Sequence, residues 1–433
     1  MLTQNDNEMI TRTGPGTPMG DYLRRFWIPA LCSDEIAEPD SPPVRVKILN
    51  EELVAFRDTN GDVGLLDNYC PHRRASLFFG RNEECGLRCV YHGWKFDVNG
   101  ECVDMPSEPS ESNFKDKVKI KSYPARDWGG FIWAYMGPVE HQPDLPEVGW
   151  AMVPDSHRKV SRRLQENNYV QGIEGGIDSS HVSFLHSGLT PYQRDHPEAR
   201  PVRRGTMQPT AMIGDSAPRF VVQDTNYGFV YGANRDAEND EYYWRITPFM
   251  MPFFTIIPGS IGNPDDLTYS GHGWIPADDE NCWMFTYSWN ASRPLNKGEN
   301  HPASDLELEP RTLRATINKD NDYGIDREMQ RNVNFTGIAN GSVQDAGIQE
   351  GMGAICDRTK EHLGTSDSAI INLRRIYLRG AREIMEGGDP FTPEKGSDYR
   401  LRSVSLLQDR GISFNDTVPA VINTASVIAT ERS

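Results

Sequence analysis

The strongest chemical signal is a pair of short runs, Cys70-Pro71-His72 and, after sixteen intervening residues, Cys89-Val90-Tyr91-His92. Each run offers one thiolate and one imidazole. Two metal centres take that set: a [2Fe–2S] cluster with two cysteines on one iron and two histidines on the other, or a structural zinc with Cys₂His₂ ligation. Both residues of the Cys-x-His run project from one tight turn, so they can reach different irons of a compact cluster. Gly93 supplies a second tight turn, and Tyr91 and Trp94 an apolar surround. Cys85 lies in the same segment but off the pattern and reads as a bystander.

A second constellation follows about ninety residues later. Asn168, Gln171, Glu174, Asp178 and His181 recur at helical spacing, and His186 comes next. The stripe holds no Lys or Arg, which sets it apart from a solvated face. On an ideal helix His181 and His186 would stand ~140° apart, so they can share an ion only if the helix ends or distorts between them. Gly175-Gly176 weakens the helix there, at about 1 kcal/mol per interior glycine. Two neutral histidines and one carboxylate form the facial triad of non-haem Fe(II) oxygenases, which leaves positions open for O₂. The carboxylate is Asp178 or a later one. A later one would free Asp178 to hold the ring nitrogen of His181 that faces away from the metal.

The elements that must position these groups change along the chain. Residues 1–26 read as a polar arm ending in the basic aromatic patch Tyr22–Trp27. Up to Gly137 the pattern is β. Val44–Leu49 and Leu53–Arg57 alternate around Asn50-Glu51, and Asn60-Gly61 and Asn99-Gly100 are tight-turn dipeptides. Gly130–Gly137 is an apolar aromatic strand, and Pro138–Pro154 a proline-rich boundary. Beyond it a helix is expected over Glu166–His186, a hairpin over Arg219–Gly232, and strands over Glu241–Ile257 and Leu267–Trp289. A helix with Ile370, Leu373, Tyr377, Ala381 and Ile384 on one face follows Ser366-Asp367. The expected division is 1–26 arm, 27–140 all-β domain, 141–155 linker and 156–433 α+β domain.

Composition restricts the partners. The 433 residues carry 45 basic and 62 acidic side chains, a net charge of −17. That argues against nucleic acid and against anionic membranes. The longest apolar stretch, Phe249–Ile257, is interrupted by Pro252 and too short for a bilayer. The N-terminus lacks the basic and apolar regions of a signal peptide. Seven cysteines, an odd and sparse set, suit a cytoplasmic protein with metal-binding thiols better than a disulfide scaffold.

Together the two constellations resemble the α subunit of Rieske non-haem iron oxygenases. The resemblance extends through Gly16-Thr17-Pro18-Met19, Tyr69–Arg74, Tyr91–Trp94 and Trp128–Gly137, all similar to the phthalate-dioxygenase branch. Asn334–Ile338, Gln344-Asp345 and the stretch Met352–Leu363 add to it. It implies an N-terminal all-β Rieske [2Fe–2S] domain on Cys70, His72, Cys89 and His92. A catalytic domain with an antiparallel sheet flanked by helices would follow. The resemblance puts a mononuclear Fe(II) on His181, His186 and Asp345, with Asp357 as the second candidate, although Asp357-Arg358 also suits a local ion pair. It makes Asp178 an electron-transfer bridge between one subunit's cluster and its neighbour's iron, in a homotrimer or trimer-based hexamer. Electrons would come from NAD(P)H through a separate flavin or ferredoxin-type reductase. The expected reaction is O₂-dependent oxidation of an aromatic carboxylate, phthalate- or benzoate-like, with Arg245 holding the acid. Its counterpart near Met207–Thr210 is not an arginine, and Arg203 or Arg204 would have to substitute. The alternatives are O-demethylation or monooxygenation of a methoxylated or ether-linked aromatic acid, a cluster-only electron carrier, and a zinc-stabilised binding protein.

Overall fold

The computed structural model describes residues 1–109, 111–188 and 215–422. Arg203 and Arg204 lie outside the described residues. Two short helices, α1 (Gln4–Thr11) and α2 (Pro18–Leu23), open the chain. Thr3 and Thr17 cap them, each hydroxyl accepting a backbone N–H. The expected polar arm is thus helical, and its aromatic patch is interior. Tyr22, Leu23 and Phe26 are buried, and Arg24 donates to the carbonyls of Thr13, Gly20 and Leu49 and to Glu51.

Ten short strands follow: β1 (Trp27–Cys32), β2 (Val44–Ile48), β3 (Glu51–Arg57), β4 (Val63–Asp67), β5 (Arg81–Asn82), β6 (Leu87–Arg88), β7 (Lys95–Phe96), β8 (Cys102–Asp104), β9 (Ala125–Trp128) and β10 (Phe131–Tyr135). They make three small antiparallel sheets, β1-β10-β9, β2-β3-β4 and β5-β6-β7-β8. The β2–β3 turn centres on Leu49-Asn50, one residue earlier than its sequence suggests, both with positive φ. That turn docks on the second half of the molecule: the N–H groups of Leu49 and Asn50 donate to the carbonyls of Pro276 and Ala277.

The second half is built on β11 (Arg158–Gln165), β12 (Arg219–Thr225), β13 (Gly228–Asp236), β14 (Glu241–Met250), β15 (Phe254–Ile257), β16 (Thr268–Pro276), β17 (Cys282–Asn290) and β18 (Val404–Asp409). They form one antiparallel sheet in the order β11-β17-β16-β15-β14-β13-β12, with β18 beside β14. The expected strand Glu241–Ile257 is two strands, broken at Met251-Pro252, where proline has no N–H to donate to a ladder. The helices are α3 (Tyr169–Gly176), α4 (Arg327–Asn332), α5 (Gly341–Gly351), α6 (Ser368–Met385) and α7 (Phe414–Ile422). The fold is therefore α+β: small β-sheets first, then a large antiparallel sheet with helices. Among the described residues no helix is long and apolar enough to cross a membrane.

Side-chain parity divides this large sheet. One face is aromatic: Phe285 and Phe254 meet Phe131 and Trp133 of β10, and Tyr287 stacks on Trp150. Arg162, on the same side, crosses the seam to a two-point contact with Glu35 at 2.6 and 2.7 Å. In register, the other face carries Arg235, Tyr243, Arg245, Thr255, His272, Trp274 and Thr286. This polar face receives α3 and the chain that follows it.

Candidate metal centres and their surroundings

The Cys70 and Cys89 loops are built alike. Cys70 N–H donates to Ala75 O and Arg74 N–H to Cys70 O, both at 2.9 Å. Cys89 N–H donates to Trp94 O at 2.8 Å and Gly93 N–H to Cys89 O at 2.9 Å. Arg74 and Gly93, at matching places, both have positive φ. Two copies of one turn thus face each other, each with its thiol buried and its histidine at the rim. The His72 and His92 ring centroids are 4.4 Å apart, and His72 stacks on Trp94. Both cysteines are free thiols. The coupling of the two thiols pushes Cys70 up and Cys89 down. Two facing thiols in an otherwise apolar pocket suit a soft, positively charged metal centre. His72 is exposed, and Phe79, Val90, Tyr91 and Phe114 form an exposed apolar rim. Cys102 is buried, with its thiol 3.5 Å from Asp104 O, and Cys85 is a half-buried free thiol whose N–H donates to Thr59 Oγ1.

The second site begins with α3, a helix buried on most sides. Asn168 caps it, and the Asn168 amide also donates to Thr11 O and Asp279 O. Its glycines are required by close approach. A Cβ at Gly172 would lie 2.3 Å from Trp274, and one at Gly175 2.3 Å from the Gln349 amide. The expected helix to His186 is too long: α3 ends at Gly176, and His181–Ser183 is a separate 3₁₀ turn. Glu174 is not part of an open polar stripe either. It is buried between Arg358 and Arg374, which donate to it at 2.8 and 2.7 Å. Arg358 therefore does not pair with Asp357, which is at 2.9 Å from Lys360 on the surface. The separation in sequence hid this network, which also includes Asn7 and Glu361.

Past α3 the chain turns around Asp178, whose Oδ1 accepts Ser180 N–H at 2.6 Å and whose Oδ2 is 3.5 Å from His181 Nδ1. His181, His186 and Asp345 converge, with one ligand atom from each within 4.8 Å of the others. Asp345 comes from α5, whose cap Asn340 accepts from Ser342 and Val343 N–H. Hydrogen bonds fix the ring of His186. Gln344 donates its amide N–H to Ile338 O at 2.7 Å, so its Oε1 accepts from His186 Nδ1–H, also at 2.7 Å. A neutral His186 then presents a bare Nε2 only 3.1 Å from Asp345 Oδ1. The Asp178 contact similarly directs the His181 Nδ1–H, leaving its Nε2 bare 3.8 Å from the same oxygen. Three lone-pair groups facing one another repel unless a cation lies among them. The donor set fits a divalent metal with two imidazoles and one carboxylate.

The sheet adds two groups. Arg245 is buried on β14, on the polar face. Arg235, unremarked in the sequence, is fully buried two register steps away and donates to Ser179 O at 2.8 Å. Gln344 was quoted only as part of a motif; its role in orienting His186 needs three dimensions.

The chain matches two family models, the Rieske [2Fe-2S] domain over residues 26–124 and the LigXa C-terminal domain like family over residues 134–407. It is 39% identical to the phthalate 4,5-dioxygenase oxygenase subunit of Pseudomonas putida, over 96% of this chain and 94% of that one. It is 37% identical to the 3-chlorobenzoate-3,4-dioxygenase oxygenase subunit of Comamonas testosteroni, over 93% and 96%. A Sphingobium 5,5'-dehydrodivanillate O-demethylase oxygenase subunit is 32% identical over 90% and 83%. Among solved structures, dicamba monooxygenase bound to dicamba shares the fold with a TM-score of 0.58 at 17% identity, over 84% of this chain and 99% of that one. The oxygenase of a carbazole 1,9a-dioxygenase–ferredoxin complex does so at 0.54 and 18%, over 88% and 95%. Subunits of this kind work with a separate reductase or ferredoxin. Two metal-binding constellations on an α+β frame, and relatedness along almost the whole length, lead to one conclusion: the chain is the oxygenase (α) subunit of a Rieske non-haem iron oxygenase, with a [2Fe–2S] domain and a mononuclear-iron domain.

Proposed function

We propose that Cys70, Cys89, His72 and His92 hold the [2Fe–2S] cluster, that His181, His186 and Asp345 hold the mononuclear Fe(II), and that the substrate is an aromatic carboxylate. The observation that supports the iron assignment is the convergence of one ligand atom each from His181, His186 and Asp345, all within 4.8 Å of one another. When bound, the cluster relays single electrons and the iron site is where O₂ reacts. The chain's own residues do the rest. Gln344 and Asp178 keep the two rings turned with Nε2 inward. The polar sheet face forms one wall of the substrate space. Arg245 on that wall suits a carboxylate, because a guanidinium fork makes two parallel hydrogen bonds to it. The phthalate and chlorobenzoate relatives favour an aromatic acid. The O-demethylase relative keeps ether cleavage of a methoxylated acid as the second reading.

The exposed His72, rimmed by Phe79, Val90, Tyr91 and Phe114, suits contact with another copy of the chain. Phe184, Phe335, Ile348 and Met352 are exposed apolar residues on the segments that carry the iron triad. We therefore propose a homotrimer, or a hexamer of two trimers, in which Asp178 links His181 to a neighbour's cluster histidine. The electron source would be an NAD(P)H-dependent reductase of flavin or ferredoxin type, and the location the cytoplasm. The division into a 1–26 arm, 27–140 cluster domain, 141–155 linker and 156–433 catalytic domain belongs to the same proposal.

Metal and sulfide analysis tests the base of this reading: three irons and two acid-labile sulfides per chain are expected, with a red-brown colour. One zinc and no sulfide would refute it. A screen of phthalate, benzoate and methoxybenzoates with a compatible reductase, scoring O₂ uptake and product mass, tests the substrate class. Turnover of neutral aromatics alone would remove the carboxylate.

A further inference from the structure

His272 stands in β16, opposite Thr255 of β15 and Thr286 of β17, on the polar face of the sheet. It is buried beside a second buried histidine, His301, which starts the 3₁₀ turn Pro302–Asp305. That turn is anchored to the sheet: Ser304 Oγ is 3.0 Å from Ser161 Oγ and 3.2 Å from Thr286 Oγ1.

The backbone decides where the ring hydrogens are. Ala303 N–H donates to His301 Nδ1 at 3.1 Å, so that nitrogen is bare. A neutral His301 then carries its hydrogen on Nε2, which is 3.1 Å from His272 Nδ1. His272 Nδ1 must accept it, and His272 is left with its own hydrogen on Nε2. Burial, with His181 and Arg163 adding to it and Asp345 opposing, holds His272 down at about 4, so the ring stays neutral near pH 7. Burial pushes His301 down as well.

His272 Nε2 is buried and has no hydrogen-bond partner among the described residues. A buried donor left in this state is unfavourable and calls for an explanation. Its place is known: a Cβ at Gly176 would lie 3.1 Å from it. The nitrogen is therefore beside the end of α3, where the chain turns toward Asp178 and the triad. Because it bears a hydrogen, this nitrogen cannot ligate a metal; it can only offer a hydrogen bond. Other buried polar atoms on the same sheet face also have no partner among the described residues: Thr255 Oγ1, Ser288 Oγ, and Nε and Nη1 of Arg235. A wall with several unanswered polar atoms is what a polar ligand completes.

We infer that His272 is a substrate-binding residue whose Nε2–H, fixed by His301, donates a hydrogen bond to an acceptor oxygen of the aromatic substrate, a carboxylate, ether or phenol oxygen. His301 is a positioning residue that acts through His272. The inference rests on the proposed iron site and deepens it by naming a chemical handle of the substrate.

The test uses iron-replete protein with its cluster, titrated with phthalate, benzoate, 4-methoxybenzoate and the neutral ether anisole. Binding is read by calorimetry and by fluorescence, since the Trp274 ring is 4.3 Å from that of His272. His272→Phe keeps a flat ring without the donor, and should weaken the bound probe about tenfold with iron content unchanged. His272→Gln, which keeps an N–H donor, should recover most of that loss. His301→Leu should weaken binding several-fold, whereas His301→Gln, able to accept from Ala303 and donate to His272, should restore it; a merely structural role would not show that rescue. Wild-type affinity in His272→Phe for every probe that binds would overturn the inference. If only anisole binds, the aromatic-acid reading falls while His272 is judged on anisole. If none binds to iron-replete wild type, the oxygen-acceptor handle itself is refuted.

Discussion

Glu174→Gln tests the buried network beneath the iron site. The wild-type carboxylate takes hydrogen bonds from Arg358 Nε and Nη2 and from Arg374 Nε. Arg374 keeps Glu361 after the substitution, but fully buried Arg358 loses its carboxylate partner and is left with neutral acceptors, Asn7 Oδ1 at 3.2 Å and the single amide oxygen of the new side chain. One guanidinium is then left charged in the interior, a defect that costs about 3–5 kcal/mol. An unfolding entropy of about 2.1 cal/mol/K per residue gives roughly 0.9 kcal/mol/K for the chain, so the melting temperature should fall by about 3–6 °C. The pH dependence has a definite sign. Burial raises the Glu174 carboxyl, but Arg358 and Arg374 outweigh it and leave it below its ordinary value. Its contribution is therefore complete above the unfolded value of about 4.3 and is lost as pH falls further. Scanning calorimetry from pH 8 down to about 2 should show a constant gap between variant and wild type down to about pH 4 that narrows only below it. Glu361→Gln, nearer the surface, should cost less. A Glu174→Gln protein melting within a degree of wild type at pH 7 would refute the account of the network.

Three further outcomes separate the site residues by role. His181→Ala, His186→Ala and Asp345→Ala should each lose the mononuclear iron and turnover while keeping the visible cluster spectrum; Cys70→Ala or His92→Ala should bleach it, and iron retained in Asp345→Ala would reject that ligand. Asp178→Asn should keep both metals and a reducible cluster yet lose product formation, and single-turnover electron transfer at wild-type speed would return Asp178 to a structural role. Arg245→Met should raise KM for aromatic acids about tenfold or more, matching a charge-assisted bond of roughly 1.5–3 kcal/mol, and should uncouple O₂ uptake from product. Normal turnover there would move the acid's anchor elsewhere on the sheet.

The candidate metal ligands were legible because their chemistry is written in short runs. Cys70-x-His72 and Cys89-x-x-His92 are each made by one turn, and His181 and His186 share one loop. Asp345 was reachable only through family resemblance, since nothing in its local sequence marks a ligand 159 residues after His186. The sheet was legible from alternation and turn dipeptides. Helix α3 was overextended because polar spacing continues past Gly176, while the Asp178 carboxylate closes a new turn there. The N-terminal arm looked polar because only one side of each short helix is apolar, and that side is covered by α6: a Cβ at Gly380 would lie 2.3 Å from Tyr22. His272 and His301 carried no signal, since their pairing joins a strand to a distant turn.

Parity along the large sheet separates two kinds of evolutionary risk. Phe254, Phe285 and Tyr287 weld the two halves of the chain together, and a change at any of them disturbs the seam. Residues one place along the same strands, Thr255, Thr286 and Ser288, look the other way. The same short strands thus hold a weld and a palette side by side. Substitutions on the palette can retune which molecule is held without moving the weld, so new specificities can be sampled at little cost to folding.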